Sequence, residues 1–451
     1  MKLLKTKDGF SIKAICIASL GFFSTSSCLA LVGMGRVLSL FTISMVICIV
    51  ILLFEKKNYE YKLPLNKYYF LWTLIGVASC LFGLVYFGGD PEWQLAAVGF
   101  IPKLILYFLL YLLLKNTKHS FKYATYLING LMLGVFVNLA WAIADALIFY
   151  SSGISITNEL FYSYIVATDT RMGMLSLILG DIIRSGGLNG DPANIGLFAP
   201  IFASYGLYRK KYWMIIVAIV GAFSSISIVA FASITIVFLI YLFSDKKKFI
   251  RGLVVLSILV IAISYFYSVT DDTSLKMAEA VTERVEGKAE SDASDKENAR
   301  MMYWVNFVPA VINNPTALVI GTGYGTASNA YLSENLVSHE KIPYDPEQTY
   351  FSTYFNCGLS GFIFFLLLYM WVLKKSYIRC KTLNQKIWFQ LFAGTEGAMI
   401  AFNGYHYTIY SVTMLYLIAG IVLLSTNIKN MGENEKNINY NCNIQLDKIN
   451  S

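Results

Sequence analysis

Residues 213–243 read WMIIVAIVGAFSSISIVAFASITIVFLIYLF, 31 residues without a charge. Arg209-Lys210-Lys211 precedes them and Lys246-Lys247-Lys248 follows. A bilayer core about 30 Å thick is crossed by about 20 apolar residues of helix. The stretch is therefore too long for one ordinary span and short for two. The flanks decide, because basic clusters stay on the cytoplasmic side and an odd number of crossings would strand one of them outside. The stretch predicts two compact or re-entrant halves, broken near Ser224-Ser225.

Working outward, further apolar runs of spanning length lie at 12–32, 37–54, 69–87, 95–114, 123–148, 250–269, 350–372, 387–404 and 408–424, with a short one at 195–208. The expected fold is an all-α polytopic membrane protein of about 12 transmembrane helices with two large extracytoplasmic loops. Composition agrees: of 451 residues, 56% are hydrophobic and only 14% charged, where soluble domains carry about 25% charged. With 31 Phe and 31 Tyr the chain is no low-complexity tract. The segments read as cytoplasmic hold 26 of the 36 Lys+Arg but 7 of the 28 Asp+Glu, as the positive-inside rule requires. The +8 net charge is thus divided between two compartments and implies no nucleic-acid partner. Both termini are expected in the cytoplasm. The basic N-terminus is read as leading into the first membrane helix, not a signal peptide, because the next span follows almost at once. The cysteines fall in spans (Cys16, Cys28, Cys48, Cys80, Cys357) or on the cytoplasmic side (Cys380, Cys442), so neither a disulfide framework nor a Cys-based metal site is implied.

The expected organisation is membrane helices 1 to 5 in 1–148, a first outside loop in 149–194, helices 6 to 9 in 195–269, a second outside loop in 270–349, helices 10 to 12 in 350–426 and a cytoplasmic tail in 427–451. Both loops exceed the length of ordinary connections, and chemistry outside the cell would be housed there. In the first, residues 172–183 read as an apolar helix lying on the membrane surface. Arg184-Ser-Gly-Gly-Leu-Asn-Gly-Asp-Pro then turns the chain back. Arg184 is open to two readings, a cation at a helix C-terminus paired with Asp181 or Asp191, or an anion ligand.

The second loop opens with a charge-rich, solvated helix around 274–290. Asn298-Ala-Arg300-Met-Met-Tyr-Trp304 follows, then Asn313-Asn314-Pro315, then Gly321-Thr-Gly323-Tyr-Gly325. The last string lacks the spacing of a nucleotide fingerprint and is read as a bend. His339 could carry a proton, and Asp345-Pro346-Glu347-Gln348 stands just before the next span. His119, His339 and His406 are too scattered for a metal cluster, and no cofactor is implied. Lys103, Asp145 and Glu396 lie within spans. Lys103 and Glu396 divide between pairing or a water cavity inside the bundle and a direct role, whereas Asp145 is expected near enough to the interface to be solvated.

Two large outside loops, Arg184-Ser-Gly-Gly-Leu-Asn-Gly-Asp-Pro-Ala-Asn194 in the first, and Arg300 before Trp304 followed by Gly-x-Gly in the second, resemble the O-antigen ligase and polymerase superfamily. The resemblance covers about 184–361. The ligase branch closes its second loop with His-[Asn/Ser/Gln]-x9-Gly-x-x-[Gly/Thr/Tyr]. Gln348, nine residues, Gly358 and Gly361 fit that frame, but Glu347 occupies the His position, which points to the polymerase branch. The resemblance implies a fold like that of C-type glycosyltransferases, seated in a bacterial inner membrane with its active loops outside. It implies a polyprenyl-pyrophosphate oligosaccharide as donor, a second lipid-linked unit as acceptor, and a polysaccharide chain-length regulator as a further partner. Arg184 and Arg300 would hold the pyrophosphate, a good leaving group once its charge is stabilised. Glu347 would take the proton of the attacking hydroxyl, with His339 as second candidate. Asn194, Gln348 and Tyr350 would contact substrate, and no metal would be needed. A ligase, a flippase or transporter, and a binding-only receptor or chain-length partner remain as rivals, although the halves show no convincing repeat of the transporter kind.

Reporter tags at Asn58 and at the C-terminus are expected to signal cytoplasm, and a tag near Asp292 to signal the outside; a cytoplasmic signal from Asp292 would overturn this topology.

Overall fold

The computed structural model describes residues 12–33, 36–55, 66–86, 91–168, 174–179, 182–190, 192–243, 315–325, 349–382, 386–402 and 411–425. Helix dominates. The first half holds α1 (Ile12–Phe23), a hairpin of β1 (Ala30–Gly33) and β2 (Arg36–Ser39), then α2 (Leu40–Leu53), α3 (Lys67–Tyr86), α4 (Pro91–Asn116) and α5 (Ser120–Ser152). Short helices α6 (Ile156–Leu160) and α7 (Tyr162–Thr168) lead to a second hairpin, β3 (Leu177–Leu179) with β4 (Ile182–Arg184). Then come α8 (Pro192–Arg209), α9 (Tyr212–Ser225), α10 (Ile228–Phe243), α11 (Pro315–Ile320), α12 (Thr349–Thr382), α13 (Lys386–Phe402) and α14 (Ser411–Ser425). Among the described residues four helices are long and apolar enough to cross a membrane, and five shorter apolar helices accompany them. The chain is a mostly helical, membrane-integral protein.

The uncharged stretch that opened the reading is two helices. It divides at Ile226, which caps α9 with φ 46°, while its N–H donates to Phe223 O at 3.0 Å. The halves are about 21 and 24 Å long at 1.5 Å per residue, shorter than a typical span. Tyr208 near the end of α8 meets Tyr241 near the end of α10 with ring centroids 5.3 Å apart. The ends of α8 and α10 therefore lie on the same side of the bundle.

Two expectations fail in the first half. Helix α1 stops at Phe23 rather than running to residue 32, because Ser24 Oγ and Thr25 Oγ1 turn back to bond Gly21 O at 2.7 Å and Phe22 O at 2.8 Å. The apolar residues beyond it form the β1–β2 hairpin, paired antiparallel from Ala30–Ser39 to Gly33–Arg36. Likewise the surface helix expected at 172–183 is the β3–β4 hairpin, with Leu177 opposite Arg184. Its strands are joined through Gly180-Asp181, a pair that favours tight hairpin turns and that a helical reading overlooks. The fold is thus helical with two small hairpins, not wholly α. The expected span at 250–269 and the charge-rich helix at 274–290 lie outside the described residues.

Helix α5 is the spine. It runs 33 residues and packs against α1, α4, α8, α9 and α14. Gly130 and Gly134 form a small-xxx-small face that lets α1 approach backbone to backbone. A Cβ on Gly130 would fall on the Ala18 carbonyl, and one on Gly134 would lie 2.6 Å from Phe22 O. Helix α14 is buried on every side, from Val412 to Leu424, and forms the centre of the described bundle.

Gly130→Ala should therefore lower the thermal midpoint of the purified protein, at a cost of about 1 to 3 kcal/mol for overpacking. Gly99→Ala, where a Cβ meets nothing within 4 Å, should leave it unchanged or raise it.

Candidate functional site

The segment that follows α5 is organised by a buried carboxylate. Asp145, on the last turns of α5, is 1% exposed, so it is not the solvated interfacial residue the sequence suggested. Its Oδ1 accepts from Ser155 Oγ at 3.0 Å and Thr157 N at 3.1 Å, and its Oδ2 from Ser176 Oγ at 2.7 Å and Ser185 Oγ at 2.9 Å. A carboxylate out of water demands such donors, and these four gather the start of α6, the entry to β3 and the exit from β4 onto α5. Asn158 adds a second tie, accepting from Leu175 N and Ser176 N, each at 2.9 Å.

The turn after β4 is fastened just as firmly. Asn138 Nδ2 and Asn189 Nδ2 both donate to Thr25 O, at 2.6 and 3.1 Å, and Ser27 Oγ donates to Asn189 O at 2.6 Å. Asn194, expected to bind substrate, is 6% exposed and donates to Asn189 Oδ1 at 2.9 Å. Cys28 is buried beside this turn, and burial pushes its thiol up to about 12, so it is no thiolate nucleophile.

Arg184 ends β4 at the break between α9 and α10. Its Nε donates to Ser225 O at 3.3 Å, and Ser185 N donates to Ser224 O at 3.0 Å. The guanidinium is thus a cation at a helix C-terminus, but the helix is α9, forty residues on in sequence, and not the one expected to precede it. Helix α10 begins three residues beyond Ser225, so its positive N-terminal end adjoins the same place. Ile226 holds a left-handed conformation there, at a cost of about 1 to 2 kcal/mol for a residue with a Cβ.

The Gly-x-Gly-x-Gly string is a bend, as expected, and it is buried. Gly321, Gly323 and Gly325 all have positive φ. Inside α12 the helix is interrupted at Gly358, with φ 65° and ψ −173°. The interruption leaves Phe355 and Asn356 carbonyls without helical partners, and the bend supplies donors: Thr322 N reaches Phe355 O at 2.8 Å and Gly323 N reaches Asn356 O at 3.0 Å. Thr322 Oγ1 also donates to Phe355 O at 3.1 Å, and Ser79 Oγ, from the middle of α3, donates to Asn356 O. A Cβ on Gly358 would strike the Val319 carbonyl, and one on Gly323 would lie 2.7 Å from Ser79 O. The glycine frame noted from the sequence is therefore a backbone clasp. It joins α3, the end of α11 and the broken helix.

Of the residues singled out from sequence, Arg184 and Asn194 share the first loop, on opposite sides of the turn. Arg300, His339, Glu347 and Gln348 lie outside the described residues. Tyr350 is the second residue of α12, two residues after Gln348. Lys103 Nζ stands over the Phe100 ring at 5.4 Å, and both Glu396 oxygens lack a hydrogen-bond partner, so the two are not each other's counterion. Sequence reasoning missed Asp145 as an organiser, and Ser79 and Thr322 as caps. Asp145 could have been flagged by its distance from any nearby basic residue; the two hydroxyls carried no signal of their own.

A family model described as O-antigen ligase matches residues 212–366. The chain is similar to the O-antigen ligases. No curated protein matches it. The matched stretch holds α9, α10, the clasp and the first part of α12, and with them the positions of Arg300, His339, Glu347 and Gln348. It supports a place in the O-antigen ligase and polymerase superfamily, an enzymatic role in general, and involvement in surface-polysaccharide assembly.

Gly358→Ala should abolish function while Gly153→Ala, whose Cβ meets nothing within 4 Å, is tolerated despite its own positive φ of 75°. Asp145→Ala strands four donors and should cost about 3 kcal/mol or more, read as a lower midpoint and faster proteolysis within 149–190. Wild-type protease resistance in Asp145→Ala would contradict the role of the knot.

Proposed function

We propose that the protein polymerises polyprenyl-pyrophosphate-linked oligosaccharide units into O-antigen or a similar surface polysaccharide on the outer face of the cytoplasmic membrane. The observation that carries the reading is the family match over 212–366, within which Glu347 stands where the ligase branch has His. The hydroxyl oxygen of the acceptor sugar attacks the anomeric carbon of the donor. The bond from that carbon to the pyrophosphate oxygen breaks, and its electron pair leaves with the pyrophosphate. The hydroxyl proton goes to Glu347, and direct displacement inverts the anomeric centre. Arg184, beside the N-terminal end of α10, and Arg300 meet the charge that grows on the leaving group. A guanidinium offers a rigid fork matched to phosphate oxygens, which makes it better suited than lysine. No metal is required of such a step when two fixed cations serve it.

A second reading has one observation in its favour: the matching family is described as O-antigen ligase. A ligase would transfer finished polymer to the lipid A core. A surface-polysaccharide gel from a deletion strain separates the readings. Loss of a polymerase leaves a single repeat unit on the acceptor, loss of a ligase leaves none, and a normal ladder would overturn both.

Complementation then tests the residues. Glu347→Gln keeps size and removes the proton acceptor, so polymer should collapse toward one repeat, with a rate loss of about 100-fold to 10,000-fold. His339→Ala is the control that would take over the role if Glu347→Gln gave wild-type ladders. Arg184→Lys and Arg300→Lys should each lose about 100-fold, whereas Lys276→Ala and Arg284→Ala should be nearly silent. Equal polymer from both groups at equal protein level would remove the pyrophosphate clamp.

A further inference from the structure

Glu396 lies on α13 amid the packing of α8, α10 and α12, and it is 0% exposed. Among the described residues neither carboxylate oxygen has a hydrogen-bond partner. Facing it across the bundle is α14. The Phe392 ring, one turn before Glu396, sits 5.1 Å from the Tyr416 ring, and it would touch a Cβ on Gly420 at 3.0 Å. Glu396, one turn on from Phe392, therefore lies close to Tyr416, on which it acts electrostatically. Thr413 Oγ1, one turn from Tyr416 on that face, also lacks a partner among the described residues, and Tyr416 Oη has only the Thr395 hydroxyl near it. On the other side Thr395 Oγ1 is 2.5 Å from Ser204 Oγ of α8. All of these side chains are buried.

No charged side chain among the described residues compensates Glu396. Arg379 of α12 is bonded to Leu423 O at 3.0 Å, and Arg209 of α8 stands over the Tyr205 ring at 5.2 Å. Tyr208 of α8 and Tyr241 of α10 pack on each other. A bare carboxylate in such a place is costly, and the unpartnered hydroxyl of Thr413 adds to it. The groups that converge are one carboxyl and neutral hydroxyls. Oxygen alone, with a single negative charge, suits a hard cation of charge +1 and not a soft or divalent one.

We infer that Glu396, with Tyr416 and Thr413 of α14, forms an intramembrane site for a small monovalent cation, a proton or a sodium ion. The occupant neutralises the carboxylate and ties α13 to the central helix. The inference is independent of the glycosyl-transfer reading.

The test uses the purified full chain in detergent, with thermal unfolding followed by a thiol-reactive dye. One series varies pH in choline chloride, and another replaces choline by sodium at constant ionic strength and pH. A bound cation that the unfolded chain releases raises the midpoint with its activity, by about 1 to 2 °C per tenfold for a chain of this size. If the occupant is a proton, the midpoint falls as pH rises and ignores sodium. If it is sodium, the midpoint rises with sodium at fixed pH. Either response should be missing from Glu396→Gln, which is neutral without an occupant. A wild type that responds to neither, or a Glu396→Gln protein that responds like the wild type, overturns the site. Should Glu396→Gln fail to accumulate, the paired change Thr413→Val with Tyr416→Phe keeps the carboxyl and removes its hydroxyl partners. The response should then move at least tenfold in cation activity, and an unchanged response overturns the site equally.

Discussion

Inside a membrane bundle no water is on hand to satisfy a polar atom, so every departure from unbroken helix must be met by another part of the chain. This one constraint accounts for most of what is not helical here. Where α12 breaks at Gly358, the exposed carbonyls are met by Thr322, Gly323 and, from a distant helix, Ser79. Where α1 ends, Thr25 O is met by Asn138 and Asn189. The carboxylate of Asp145 is met by three hydroxyls and a backbone N–H. Each fastening joins segments far apart in sequence, and together they hold the described parts of the two long loops against the bundle.

The first of those loops owes its placement to a carboxylate rather than to its own apolar residues. Hairpin β3–β4 is too short to hold itself, since two strands alone are marginal in water. Asp145 anchors its entry and exit, and the end of β4 is then stitched to Ser224 and Ser225. Arg184 is delivered to the place where one helix ends and another begins. The strained Ile226 marks the same spot, and strain of this kind persists where the surroundings hold it.

The clasp does a similar service for the bend at 321–325. Its glycines are needed because backbone meets backbone, and a Cβ on Gly358 would occupy the Val319 carbonyl. Ser79 belongs to α3, outside the stretch that matches the ligase family, so the matched region depends on the first half of the chain for one of its caps. Among the described residues Glu396 is the carboxylate that departs from that rule; the other buried side-chain atoms without a partner, such as Tyr107 Oη and Thr413 Oγ1, are neutral.

Composition, the run of apolar segments and the placement of basic clusters were enough to establish a polytopic membrane protein, the division of 213–243 into two helices and the bend at 321–325. These properties follow from local hydrophobicity, charge and glycine content, which a linear reading captures. The glycine frame around Gly358 was legible as a pattern, but not as a clasp. Residues 24–32, 37–39 and 172–183 were read as helix because apolar residues of strand and helix look alike over short runs, and the hydroxyls of Ser24 and Thr25 that stop α1 are ambiguous in sequence. Only the tertiary structure could bring Asp145 to Ser155, Ser176 and Ser185, Arg184 to the end of α9, and Ser79 to Asn356. The reason is physical: a hydrogen bond made across the bundle depends on where helices cross, and no residue carries that information in its own neighbourhood.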